Sequence, residues 1–410
     1  MMSGSSVLRM PDTSTIDQPT TRTSRTVLSL AFVIGAFALG TSENVIAGIL
    51  PELSSSLEVT EGTGGMLVTA YAATVVVAGP ILTLVVDRLN PRKVLIGSLG
   101  LYLAGSVLAA ISSTYAIMFA SRVITGLVHT TIMVVFMTTA MRIAPVDRQA
   151  SAAARITLGL SVATVLGVPI GVAISQAFDW RLSFVFIALL TAFSLVVMLR
   201  AFPRSQMASE IPERAESLRA LGRPKVVLGV VTTALAAMAA LTLVVYIAPF
   251  LTTSVGFPTW SITWVMFAYG VGSIIGNTVG GAVANKNVAY ALFGTVSATL
   301  VALIGLALFP AHGYVTVASI IFLGFAYFST FPALNTWIAQ SSRDVSPNLA
   351  LAVNSSAFNV GIALAGVLGG IYTNGGNALS GLPIVAAIPA ALAVCAALGV
   401  VAAYRKTRTR

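Results

Sequence analysis

The sequence predicts an all-α membrane protein of twelve transmembrane helices in two pseudo-symmetric six-helix bundles. Three observations carry that prediction. The 410 residues are 57% hydrophobic and only 9% charged, with a mean hydropathy of +0.93, whereas a soluble domain carries about 25% charged residues. The apolar residues come in blocks of roughly 20, the length that crosses a bilayer core. The two halves of the chain also repeat small and aromatic residues at one fixed offset.

Taken in order, the spans are placed at 27–50, 63–86, 94–112, 116–141, 151–176, 181–201, 225–252, 260–283, 288–309, 314–340, 347–372 and 380–403. Residues 1–26 are polar and rich in Ser and Thr, without a short apolar core and small-residue cleavage site, so they read as a disordered cytoplasmic tail rather than a cleaved signal. Residues 27–201 form the first bundle and 225–403 the second. Between them, 202–224 is a charged linker with Pro203, Pro212 and Pro224, and 404–410 is a basic tail.

The orientation follows from the basic residues. Of 23 lysines and arginines, 20 fall on one side of the twelve spans. Arg181 lies on the other side, and Arg122 and Arg155 lie within helices. By the positive-inside rule the basic side is the cytoplasm, which puts both termini there and the protein in the plasma (inner) membrane of a bacterium. The net charge of +10 is then a topology signal, reinforced by anionic lipid headgroups; nucleic acid is not expected as a partner. Cys395 is the single cysteine, which excludes an internal disulfide and a cysteine metal cluster. No cofactor or metal is expected. No phosphate-binding Gly-rich loop ending in Lys-Ser/Thr is present, so the chain itself is not an ATP-driven pump, and an ion gradient has to supply the energy. A monomer is expected.

The repeat has an offset of about 198 residues. It places Pro51 on Pro249, Ala70-Tyr71 on Ala268-Tyr269, Gly126 on Gly324 and Asp87-Arg88 on Asn285-Lys286. The fifth-span stripe Gly159, Ala163, Gly167, Gly171 falls on Ala357, Gly361, Ala365, Gly369 of the eleventh. Parallel six-span repeats with a site between them are a secondary-transporter architecture.

Four motifs then carry a family resemblance. Asp87-Arg88-Leu89-Asn90-Pro91-Arg92-Lys93 follows the second span, although Thr83 and Asn90 replace usual glycines and Pro91 a usual basic residue. Arg122-Val-Ile-Thr-Gly126 lies in the fourth span and Gly167-Val-Pro169-Ile-Gly171 in the fifth. Gly40-Thr-Ser-Glu43-Asn44, followed by Ala47-Gly48-Ile-Leu-Pro51-Glu52, ends the first. Over 27–403 the chain resembles the major facilitator superfamily, in its twelve-span drug:proton antiporter branch, which includes exporters of chloramphenicol, sugars and nucleosides. The resemblance implies that Asp87, Arg88 and Arg92 form a cytoplasmic latch; setting the topology is the plainer reading of these charges.

Of the thirteen acids only Glu43 falls within a span. An ionisable group at membrane depth costs several kcal/mol and is a functional candidate by default. Glu43 is therefore read as the proton-coupling carboxylate; a structural carboxylate paired with a neighbour is the alternative. Arg122 is expected at the same depth, roughly 10 Å beneath the outer surface at 1.5 Å per residue, as a partner for Glu43 or as a permanent structural cation. His129 follows it by two turns on the same face and suits a substrate contact or an interhelical hydrogen bond. Further substrate contacts are assigned to Asn44, Tyr71, Met133, Tyr246, Phe250, Tyr269, Asn277, Tyr327, Asn335, Asn354 and Asn359. Gly167, Pro169 and Gly171 are read as a hinge and seal approaching the eleventh span, with plain helix packing as the alternative.

These readings make the chain no enzyme but a secondary transporter exporting small neutral or amphiphilic molecules in exchange for protons. Its alternatives are a physiological exporter of a sugar, nucleoside or amino acid and, more remotely, a non-transporting membrane receptor.

Overall fold

The structure, a computed structural model, describes residues 22–86, 89–145, 149–202, 222–309, 312–341 and 347–408. The linker residues 203–221, Asp87, Arg88 and the tail residues 1–21 lie outside the described residues.

Twelve helices among the described residues are long and apolar enough to cross a membrane. They are span 1 (Thr26–Asn44), span 2 (Glu61–Gly79), span 3 (Pro91–Ala110), span 4 (Tyr115–Ile143), span 5 (Arg155–Ala177) and span 6 (Trp180–Ala201), then span 7 (Pro224–Val244), span 8 (Ser261–Lys286), span 9 (Val288–Leu308), span 10 (Gly313–Ser341), span 11 (Val353–Asn374) and span 12 (Leu379–Arg405). Span 1 continues past Val45 into Ile46–Ser56. All twelve expected spans are present.

Short polar residues start these helices where the sequence turns. Asn90 accepts from the Arg92 N–H with Pro91 in the first helical turn, Thr114 from Ile117, Asp179 from Arg181 at 2.7 Å and Asn287 from Tyr290. Each side-chain oxygen satisfies an N–H that the helix start leaves bare. Pro169 has no N–H to give, and the turn before it, Ala163–Gly167, widens into a π-helix in which the Val168 N–H reaches the Ala163 carbonyl. A second π-turn, Phe250–Ser254, follows Pro249 just beyond the end of span 7.

The two halves repeat one packing scheme. Spans 2 and 4 pack as spans 8 and 10 do, 1 and 6 as 7 and 12, 3 and 4 as 9 and 10, 3 and 6 as 9 and 12, and 1 and 5 as 7 and 11. The repeat holds at single residues: a Cβ on Gly126 would collide with the Tyr71 carbonyl, and one on Gly324 with the Tyr269 carbonyl. Gly272, Gly276 and Gly280 bring the span 8 backbone against the carbonyls of Ile321, Phe325 and Ser329 in span 10, the close approach that small residues permit between membrane helices.

The halves meet where span 2 packs on span 11 and span 5 on span 8. This corrects the expected approach of span 5 to span 11. The glycine stripe of span 5 faces span 1 instead: Gly159 lies against Val33 and Ala36, Gly167 against Thr41, and Gly171 against Val45. Contact with span 8 is made by the widened turn, where Gly270 rests on Thr164 and Val165.

Candidate functional site

Spans 1, 2, 3 and 4 bring one polar cluster together inside the first half. Arg122 of span 4 is 1% exposed. Its Nη1 donates to the Ser42 carbonyl at 3.0 Å and to Ser42 Oγ at 3.2 Å. Its guanidinium carbon lies 4.2 Å from the Tyr71 ring centroid. A charge-assisted hydrogen bond and a cation–π contact offset part of the cost of a cation in an apolar wall. The remaining Nε and Nη2 are buried without a partner, so the guanidinium keeps capacity for another acceptor. The Tyr102 hydroxyl of span 3 is also buried without a partner.

Tyr71 is itself shut away at 1% exposure, and its hydroxyl shares a 2.5 Å hydrogen bond with His129 Nδ1. The rings meet edge-on with centroids 5.6 Å apart. His129 is thus held by an interhelical hydrogen bond to Tyr71 while staying partly exposed.

Glu43 follows Ser42 but is placed differently. It is partly exposed, and it makes neither a hydrogen bond nor an ion pair with Arg122, which binds Ser42 instead. The expected contact between Glu43 and Arg122 is therefore corrected to proximity without contact. Successive residues on a helix point about 100° apart, so Glu43 leaves span 1 in a different direction from Ser42. Glu43 thus stands beside the Arg122 cluster without bonding to it.

The second half answers with rings. Tyr327 is 3% exposed and its hydroxyl is buried without a partner. Phe328 and Phe331 stand edge-on to it with centroids at 5.3 Å, and Phe358 of span 11 lies parallel at 6.2 Å. Phe331 and Phe358 are 4.8 Å apart, and Tyr269 touches Phe328 at 6.3 Å. Phe328, Phe331 and Phe358 are partly exposed. The sequence reading missed all three; a usable signal was Phe331 following Tyr327 by one helical turn.

The other candidates are scattered. Asn354 is buried, accepting from Thr233 at 2.6 Å and donating to the exposed Asn335 at 2.7 Å. Asn44 and Asn359 each donate to a carbonyl of their own helix, and Asn359 Oδ1 is buried without a partner. Asn277 is exposed on span 8. Met133 and Phe250 are buried in the apolar core. Arg92 Nη2 donates to the Leu199 carbonyl at 2.8 Å, within its own half.

Tyr246 is fully buried and ties the halves together. Its hydroxyl donates to the Gly366 carbonyl at 3.0 Å and, across the interface, lies 3.4 Å from the Gly62 carbonyl; its ring sits over Gly65, Gly369 and Gly370. Thr60 donates to Asn374 at 2.6 Å, Thr69 to the Ala363 carbonyl at 3.0 Å, and Gln176 to the Thr259 carbonyl at 2.7 Å. Thr263 donates back to Gln176 at 3.0 Å. All these bonds lie toward the end away from the chain termini, which closes that end.

The comparisons with known proteins agree with this architecture. Residues 32–346 match the Major Facilitator Superfamily. The chain is 32% identical over 358 residues to the inner membrane transport protein YdhP of Escherichia coli K12, covering 87% of this chain and 92% of that one. It is 30% identical to the MFS-type transporter YtbD of Bacillus subtilis, covering 84% and 88%, and 28% identical to a chloramphenicol resistance protein of Streptomyces lividans, covering 80% and 85%. A crystal structure of a bacterial homolog to the human lysosomal transporter Spinster, inward-facing and occupied, superposes with a TM-score of 0.74 at 15% identity, covering 94% and 98%. That likeness shows the fold. Fold, repeat and sequence matches together assign the chain: it belongs to the Major Facilitator Superfamily and is a secondary transporter of small molecules.

Proposed function

We propose that this transporter exports small neutral or amphiphilic molecules, chloramphenicol-like compounds among them, in exchange for protons across a bacterial inner membrane, with both termini in the cytoplasm. The single observation that carries the reading is Glu43: a carboxyl group within a membrane span, partly exposed, next to the Ser42 that binds Arg122, and without a hydrogen bond or ion pair among the described residues. The inner-membrane address and the drug class are supported by YdhP and by the chloramphenicol resistance protein, as those relatives are named.

The bonds that join the halves at the end away from the termini support reading the described state as the loading state. In that state Glu43 is ionised, and substrate enters from the cytoplasm or inner leaflet. The halves then rock, parting the Tyr246 and Gln176 contacts. Facing outward, Glu43 takes a proton as substrate leaves. Protonation removes the negative charge beside Arg122, whose free Nε–H and Nη2–H then favour another acceptor. The proton is released inside on return. Arg122 and Tyr71 set the field around Glu43, and His129 contacts substrate. The amide pair Asn335–Asn354 favours the second reading, a physiological exporter of a sugar, nucleoside or amino acid.

The test is proton counterflow in inverted vesicles carrying the overexpressed protein and a pH-sensitive dye. Chloramphenicol or another amphiphile should collapse a preformed pH gradient faster than in vesicles lacking the protein. A gradient indifferent to chloramphenicol, amphiphiles, pentoses, nucleosides and amino acids alike would retire the reading.

A further inference from the structure

The internal repeat places different side chains at equivalent positions of the two halves. At the offset of about 198, Arg122 falls on Ile320, Glu43 on Leu241 and His129 on Tyr327. Ile320 and Leu241 are buried aliphatic residues. The same scaffold therefore holds the ionisable groups in one half and none of them in the other. Tyr327 stands in place of His129, and two further rings replace aliphatic side chains: Met133 falls on Phe331 and Leu160 on Phe358.

We propose that Tyr327, Phe331 and Phe358 form a cup that takes the planar aromatic ring of the substrate, with a polar substituent of that ring bonded to the Tyr327 hydroxyl. The proposal rests on the export reading and names its substrate class. Phe331 and Phe358 keep partial exposure beside Tyr327, which at the same offset takes the place of the partly exposed His129 in the first half. The proposal sets their exposed faces on the space between the halves. The Phe331 and Phe358 planes are inclined at 58° with centroids 4.8 Å apart, and a third ring can enter such a corner edge-on to one and offset on the other, the arrangements aromatic pairs prefer.

The Tyr327 hydroxyl supplies the second, independent observation. It is buried and bonded to nothing, and a buried polar group without a partner is a cost that a ligand can remove. An apolar wall with one convergent polar group is the usual composition of a small-molecule pocket. A sugar or aliphatic amino acid would have to surrender several water hydrogen bonds to this wall and recover one. An aromatic compound with one polar substituent surrenders little.

Equilibrium binding to the purified protein in lipid nanodiscs tests the cup without any gradient. The probes are chloramphenicol and 4-nitrobenzyl alcohol as polar aromatic compounds, ethylbenzene as a ring without a polar group, and arabinose and alanine as non-aromatic solutes. The variants are Phe331→Leu, Phe358→Leu and Tyr327→Phe, each required to melt as the parent does.

At least one polar aromatic probe should bind and arabinose and alanine should not. Either leucine variant should weaken aromatic binding about tenfold. Tyr327→Phe should weaken the polar aromatic probes and spare ethylbenzene. The proposal is overturned by binding of arabinose or alanine in preference to every aromatic probe, by aromatic binding equal in all variants, or by no aromatic binding at all. Aromatic binding without proton flux would instead retire the export reading and leave the cup, and proton-coupled flux of a non-aromatic solute would do the reverse.

Discussion

Arg122 shows how one residue can be legible in type and illegible in contact. A cation in an apolar span is rare enough to single out from sequence, as is the carboxyl of Glu43. Which neighbour Arg122 binds depends on a single step of rotation along span 1, and hydropathy carries no information about that step; Ser42 takes the guanidinium and Glu43 is left free. The aromatic residues fail differently. Nineteen phenylalanines look alike in a sequence where most of them face lipid or core, so Phe331 and Phe358 could not be told from the rest. The Arg122 geometry leads to a test. A lysine cannot reach the Ser42 carbonyl and lie across the Tyr71 ring together, so Arg122→Lys should keep its charge yet lose roughly 1.5–3 kcal/mol of charge-assisted bonding. Transport in proteoliposomes should fall at least tenfold with expression maintained; parental transport rates in this variant would reject the assigned role.

At the scale of the element, hydropathy was enough to place twelve spans, because each must present about twenty apolar residues to lipid. Which helix each glycine faces was not readable, since a small residue permits close approach without naming the partner. The span 5 stripe therefore met span 1, while the tightest backbone approach lies at Gly272, Gly276 and Gly280 of span 8. Gly276→Ala places a methyl group on the Phe325 carbonyl and should cost roughly 1–3 kcal/mol. Gly100→Ala in span 3, where a Cβ meets nothing within 4 Å, should not. Melting temperatures in one detergent compare the two, and equal values would show that span 8 and span 10 are less tightly packed than described. Tyr246 belongs to this scale too, as a sequence-expected substrate contact whose hydroxyl is spent on backbone carbonyls. Tyr246→Phe removes a bond worth about 1 kcal/mol, which should shift the open fraction of that end roughly fivefold. Spin labels at Ser55 and Ala378 should report a larger long-distance population; an unchanged distribution would mean that the Tyr246 hydroxyl does not help hold that end shut.

For the whole molecule, the repeat was readable as a fixed offset and reappears as a repeated packing scheme, down to matched glycines over matched tyrosine carbonyls. The divergence of content between the halves showed only once side chains were placed: Glu43, Arg122 and His129 lie in the first bundle, and the cluster of Tyr327, Phe328, Phe331 and Phe358 forms in the second. The proposed transport scheme gives proton handling to Glu43 and couples it to substrate movement by the rocking of the two halves. The most direct test reconstitutes the parent protein and Glu43→Gln in liposomes and measures two rates for one substrate, uphill movement driven by a pH gradient and gradient-free exchange of labelled for unlabelled molecules. The account predicts that the variant loses uphill movement and keeps exchange, because glutamine preserves the shape of the site but cannot release a proton. Uphill movement at the parental rate in Glu43→Gln would contradict it.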